Sequence, residues 1–267
     1  MSWLICPDEK NGFFDLYPGA AAAYSLRNLN GRSGVSSPVV RVRRSSDDTE
    51  QDFTAAQVTD GTLTAFCGAG DGFVRTWYDQ SGNSNHAQQT TVSRQPRIVV
   101  AGALENFGGK PALYFNGSSS AMTAALSSSL VTSSTLFALA SVEQFYTTLQ
   151  YVLDSNGTGR YVLDVNNNQK AIIFQTTGIE SSENWGINRR LITSLYAGAN
   201  SSIWQDGVQV ASGNIGSVPV GDLTIGARFT LVGFWKGTMQ EIVVYDSDKT
   251  ADRSGIESNL NGHYNIF

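Results

Sequence analysis

The chain holds 267 residues, 41% hydrophobic and 15% charged, with a formal net charge of −5; these values fit a globular domain with a sizeable core and exclude a disordered chain. Its only basic cluster, Arg41-Val42-Arg43-Arg44, is followed at once by Asp47, Asp48 and Glu50, so no concentrated basic face is offered to nucleic acid. Two cysteines, Cys6 and Cys67, and two distant histidines supply no disulfide framework, zinc-ligand spacing or histidine-based triad.

The amino terminus lacks a basic stretch followed by an apolar run, so no signal peptide is expected, and no apolar run approaches the ~20 residues of a membrane span. Residues 1–19 mix Trp3, Phe13, Phe14 and Tyr17 with Pro7, Gly12, Pro18 and Gly19. They read as a docking arm or as a first edge strand, because that much aromatic surface calls for cover. From residue 20 to 267 a single domain is expected.

Ala20 to Leu29 reads as a strand and turn entering a sheet, and Val39, Val40 and Val42 as a β-branched strand. A short helix is predicted near Thr59–Phe66, capped by Asp60 or Thr62 and stopped at Gly68-Ala69-Gly70. Phe73–Tyr78 is a strand that runs into the polar loop Asp79–His86. Gln95–Val100 and Lys110–Phe115 add strands, and Ser118–Ser129 is a surface excursion.

The second half is more regular. Strands are predicted at Ser134–Val142, Gln150–Asp154, Arg160–Val165, Ala171–Thr176, Leu191–Tyr196, Ser202–Gln205, Val208–Ala211 and Asp222–Gly226. Gly and Asn turns punctuate them, with Asp206-Gly207 as a type I′ hairpin pair. Gly237–Tyr245 reads as a late strand whose partners lie far back in the chain, hence a central one. A terminal helix is expected after Thr250, with Ile256, Leu260 and Tyr264 on its apolar face.

The hairpin at Asp206-Gly207, Leu223-Thr224-Ile225-Gly226, and Gly237–Tyr245 with the helix from Asp252 to Tyr264 resemble concanavalin A-like or laminin-G-like domains of bacterial and phage surface proteins. That resemblance covers about residues 130–267. Ala23-Tyr24-Ser25-Leu26-Arg27, Phe66-Cys67 and Trp77-Tyr78-Asp79-Gln80-Ser81-Gly82-Asn83-Ser84-Asn85 resemble the catalytic domain of the α-L-arabinofuranosidase B family. Both resemblances imply an all-β fold, a two-sheet antiparallel jelly-roll sandwich with a short carboxy-terminal helix. The amino-terminal signature also resembles that of bacteriophage structural proteins.

Trp185, in the polar stretch Glu183-Asn184-Trp185-Gly186, and Trp235 are candidates to stack on a sugar ring. Asp79, Gln80 and Asn83 are candidates to grip sugar hydroxyls, and Asp79 with Asn83 offers oxygen ligands of the kind Ca²⁺ takes. No other cofactor is expected. Glycoside hydrolysis needs two carboxyl groups across a cleft; Glu143, Asp154, Asp164 and Glu241 lie on predicted strands, but no local motif pairs them.

The main reading is therefore a non-enzymatic virion protein, a phage tail or capsid decoration. It would join other virion proteins through its arm, form a homo-oligomer and present the sandwich to host surface glycans. The alternatives are a glycoside hydrolase of the α-L-arabinofuranosidase type and a decoration protein without a ligand.

Overall fold

The computed structural model describes residues 12–31, 37–130, 133–156 and 159–267. Residues 1–11, which hold most of the expected arm and Cys6, lie outside the described residues. The protein is all-β: antiparallel strands build a sandwich-like body, with short helices at its margins.

The late strand, Lys236–Tyr245, is central. One edge pairs along its length with Ser134–Val142. The other edge is shared by Ala20–Ser25, opposite Glu241–Tyr245, and Leu113–Asn116, opposite Lys236–Met239. Its side chains alternate between two apolar layers, as the two-residue period of a strand requires. Met239, Ile242 and Val244 enter the main core, whereas Val243 and Tyr245 join a second layer. The helix Arg253–Tyr264 covers that layer with Ile256, Leu260 and Tyr264, and Phe13 packs beside them. Both faces are thus buried, and the polar Thr238, Gln240 and Glu241 that the strand mixes with its apolar residues are buried with them.

From Ser134–Val142 this side of the body continues through Arg189–Tyr196 and Ser201–Gln205 to Val208–Gly213. At the Asp206-Gly207 hairpin both residues have positive φ, 51° and 83°, as a type I′ turn demands. The strand Gly72–Trp77 forms the corner, pairing with Arg97–Val100 on this side and with Ala87–Gln88 on the other. The second side runs through Ala87–Gln88, Met122–Ala124, Leu223–Ile225, Gln150–Ser155, Val162–Val165, Lys170–Phe174 and Gly178–Asn184.

Between the two sides, aromatic pairs fill the core. Tyr24 meets Trp77 at 5.8 Å, Tyr161 stacks on Tyr196 at 3.9 Å, and Trp185 meets Trp235 at 5.4 Å. Rings of this size dominate core burial.

Some elements differ from the sequence expectation. Two helices, Ala55–Thr59 and Thr62–Cys67, replace the single one, because Thr54 and Gln57 form a reciprocal capping box ahead of the first. The terminal helix begins at Arg253 after Asp252, not at a Thr250 cap. Gly178–Asn184 is a strand despite its polarity: most of it is exposed and it pairs on Lys170–Phe174, so it needs no apolar pattern.

Candidate active site on the outer face

A register row crosses four strands on the outer face of the second side. Tyr151 lies opposite Asp164, Asp164 opposite Ile172, and Ile172 opposite Glu180. Directly opposed residues share a face, so these four side chains point the same way, while Leu153, Leu163 and Ile173 enter the core. The segments Tyr151-Val152-Leu153-Asp154 and Tyr161-Val162-Leu163-Asp164 are identical in sequence but not in orientation. A bulge between Tyr151 and Leu153 shifts the alternation, putting Tyr151 on the outer face while Tyr161 packs against Tyr196 in the core.

Asp154 anchors this face. Its Oδ1 accepts from Arg160 Nε at 3.1 Å and Ser155 N at 2.9 Å, and its Oδ2 from Arg160 Nη2 at 2.8 Å and Phe229 N at 3.0 Å. Those four donors use its acceptor capacity. The Arg160 guanidinium sits 5.4, 5.8 and 6.0 Å from the Tyr151, Phe174 and Phe229 rings, within cation–π range. The Asp154 to Phe229 bond also fixes the loop between Ile225 and Lys236 over the site.

Asp164 is the contrasting acid. It is 3% exposed, and its Oδ1 has no hydrogen-bond partner. Burial, with repulsion from Asp154 and Glu180, outweighs the pull of Arg160 and pushes its carboxyl up to about 8. At neutral pH it is therefore mostly an acid that can donate its proton. Glu180 is an exposed carboxylate whose Oε2 accepts from Asn166 Nδ2 at 2.8 Å. Two strand spacings, about 10 Å at the backbone, separate Glu180 from Asp164. The face thus combines a buried neutral acid with an open carboxylate, the two roles that acid–base chemistry requires.

The residues expected to bind sugar lie elsewhere. Trp185 and Trp235 are both 0% exposed and pack on each other, so neither offers a ring face to a ligand; this corrects the stacking assignment. Their flanking glycines and polar neighbours had suggested exposed loops, but long-range packing draws both rings inward. The Asp79 loop is a brace. Asp79 Oδ1 accepts from Ala23 N at 2.8 Å and Ser81 N at 2.9 Å, and Oδ2 from Ser81 Oγ at 2.7 Å and Asn85 N at 3.0 Å. Gln80 accepts from Leu29 N and donates to the Ser25 and Arg27 carbonyls, and Asn83 donates to those of Ala20 and Ala21. Among the described residues, no three His, Cys, Asp or Glu side chains converge as metal ligands would.

Glu241 is a structural clasp. At 1% exposure it accepts from Arg27 Nε and Nη2, Ser25 Oγ and Tyr264 OH at 2.8 to 2.9 Å, tying the first strand and the terminal helix to the central strand. Glu143 is half exposed and accepts from Tyr114 OH at 2.7 Å. Asp154 and Asp164 stand out in the sequence as strand-borne acids, whereas Arg160, Glu180, Arg228 and Phe229 carry no local signal of a site. Only the repeated Tyr-Val-Leu-Asp hinted at the site.

No protein-family model and no curated relative matches the sequence. Solved structures do resemble the fold. A GH54 α-L-arabinofuranosidase soaked with a cyclic sulfate inhibitor superposes with a TM-score of 0.66 at 15% identity, over 90% of this chain and 62% of that one. An arabinofuranosidase complexed with arabinofuranosyl-α-1,2-xylobiose gives 0.66 at 16% identity with the same coverage. The sialidase of Trypanosoma rangeli gives 0.51 at 17%, over 71% of this chain and 31% of its own. This chain therefore spans 62% of the length of the arabinofuranosidases it matches.

These likenesses correct two expectations. The concanavalin A or laminin-G resemblance to phage surface proteins, drawn from residues 130–267, gives way to an arabinofuranosidase likeness over 90% of the chain. With it falls the virion-adhesion reading, because the similar structures are of glycoside hydrolases. At such low identity the likeness carries the fold alone: this chain has the sandwich-like fold of the arabinofuranosidase structures.

Proposed function

We propose that the protein is a glycoside hydrolase acting on furanosides of the arabinofuranoside type, and that its sandwich is a two-sheet jelly roll with the site on one outer face. The observation that carries this reading is the placing of buried Asp164, whose carboxyl that burial pushes up to about 8, in one register row with open Glu180. The likeness to arabinofuranosidases supports the choice of sugar.

In this mechanism Asp164 donates its proton to the glycosidic oxygen as the bond to the anomeric carbon breaks. Glu180 takes a proton from the water that attacks that carbon, and Asn166 orients the Glu180 carboxylate. Arg160, fixed by Asp154, moderates the field at Asp164.

The test is hydrolysis of 4-nitrophenyl α-L-arabinofuranoside, a ligand used with a GH54 enzyme. Asp164→Asn and Glu180→Gln should each lower kcat by about 10²–10⁴-fold. No hydrolysis by the native chain, or hydrolysis untouched by Asp164→Asn, would refute the assignment.

A further inference from the structure

Beside the end of the terminal helix lies a cleft of about 440 Å³, bounded by the segment after the first strand, the short helix Ala55–Thr59 and the hairpin that pairs Phe107 with Lys110. Its lining is of two kinds. Leu26, Ala55, Ala56 and Pro111 are apolar, Arg27, Lys110 and His263 are basic, and among the described residues no aspartate or glutamate lines it. The cleft that holds Glu105 and Glu143 has the reverse character, two carboxylates and no basic residue. The basic lining therefore belongs to this place and not to the surface at large.

The charges around this cleft are not balanced. Arg27 is compensated by Glu241. Of the described lysines, Lys236 and Lys249 pair with acids and Lys170 donates to the Ser182 carbonyl, but the Lys110 ammonium has neither kind of partner among the described residues. Close behind, Arg189 is 9% exposed and donates only to amide oxygens, those of Phe107, Gln240, Tyr264 and Asn265. Burial, and then the charges of Arg27, Lys110 and Arg189 against that of Glu241, hold His263 down at about 4. At pH 7 its ring is therefore neutral and carries one N–H donor. The ring meets Tyr264 edge-on at 4.6 Å and makes no hydrogen bond among the described residues. In a chain whose net charge is −5, this pocket of positive potential attracts an anion that the rest of the surface repels.

We infer that this cleft binds a small organic acid, its carboxylate or phosphate meeting the Lys110 ammonium and the His263 N–H while its apolar body lies against Leu26, Ala55, Ala56 and Pro111. A concave site with an apolar lining and a few placed polar groups is the usual form of a small-molecule site, and its volume falls in that range. A bare inorganic anion would leave the apolar residues facing water, and a neutral molecule would leave the Lys110 and Arg189 charges uncompensated. A long polyanion is repelled by the net negative charge beyond the cleft. The cleft shares no residue with the acids Asp164 and Glu180, so it is a second site that stands apart from the hydrolase reading.

The chain has two histidines, His86 and His263, so NMR of the imidazole protons reports binding at one place with a control at the other. The full chain is titrated at pH 7 with benzoate, phenyl phosphate, benzyl alcohol and inorganic phosphate. Benzoate or phenyl phosphate should shift the His263 signal, leave His86 in place, and bind about tenfold or more tightly than benzyl alcohol or inorganic phosphate. The tighter of the two acids tells carboxylate from phosphate, and added salt should weaken its binding. Lys110→Gln should weaken that acid about tenfold, leave benzyl alcohol unchanged and keep the native melting curve. The inference is overturned if neither acid moves His263, if benzyl alcohol or inorganic phosphate binds as tightly as the acids, or if the preference survives in Lys110→Gln. Hydrolysis of the arabinofuranoside is untouched by any of these outcomes.

Discussion

Replacing Asp164 with Asn should change how stability depends on pH, in a way fixed by two groups, one on a strand of the second side and one on the terminal helix. Asp164 is raised from 3.8 in the unfolded chain to about 8 in the fold. Between those values the folded protein holds a proton that the unfolded chain has released, so stability falls as pH rises. One proton is worth at most about 1.4 kcal/mol per pH unit. His263 works the other way. Burial, reinforced by Arg27, Lys110 and Arg189, lowers it from 6.5 to about 4, so the unfolded chain holds the extra proton and stability rises across that window. From pH 4 to 6.5 the two contributions oppose each other. His263 is only partly buried and is screened by solvent, so it offsets part of the Asp164 slope. From pH 6.5 to 8 Asp164 acts alone, and the fold should lose up to about 2 kcal/mol, or roughly 4–8 °C in Tm.

Thermal melts followed by circular dichroism at half-unit pH steps read this directly. Asp164→Asn has nearly the same shape and no proton to release. It should abolish the fall above pH 6.5 and leave a rise between 4 and 6.5. His263→Asn should steepen the decline below pH 6.5. A native Tm that stays flat from 6.5 to 8, or an Asp164→Asn profile that still falls there, would refute the claim that Asp164 is buried as a neutral acid.

Two further outcomes test the framework that holds the site. Glu241→Gln leaves the largely buried Arg27 charge without its partner and should cost about 3–5 kcal/mol in urea unfolding; a loss below 1 kcal/mol would mean that the clasp is not a tight ion pair. Gly237→Ala should destabilise by roughly 3 kcal/mol or more, because Gly237 has φ 148° and an added Cβ would lie 2.0 Å from the Ser141 carbonyl oxygen. An unchanged midpoint would show that the central strand does not approach its neighbour so closely.

Much of the framework was legible in the sequence. The Asp206-Gly207 pair specified its hairpin because few residue pairs accept two positive φ angles. The late strand announced a central position because its partners had to lie far back in the chain. The buried settings of Trp77 and Trp204 also followed from their strand context. The polar strand that carries Glu180 was not legible, since an exposed edge imposes no apolar alternation and its residues look like a turn. Trp185 and Trp235 misled for the converse reason: local polarity says little about where a large ring ends once distant strands converge.

By itself, then, the sequence determined the β architecture and the order of its main strands, through turn chemistry and side-chain period, both of which act within a few residues. The site was decided by tertiary structure. Two identical Tyr-Val-Leu-Asp segments acquired different orientations from one bulge, and Asp154 became an anchor by meeting Arg160 and the distant Phe229 loop. Asp164 became a raised, proton-holding acid because strand pairing buried it and left its Oδ1 without a hydrogen bond. A carboxyl group's chemistry is set by its surroundings, and those come from chain segments that the local sequence does not reveal.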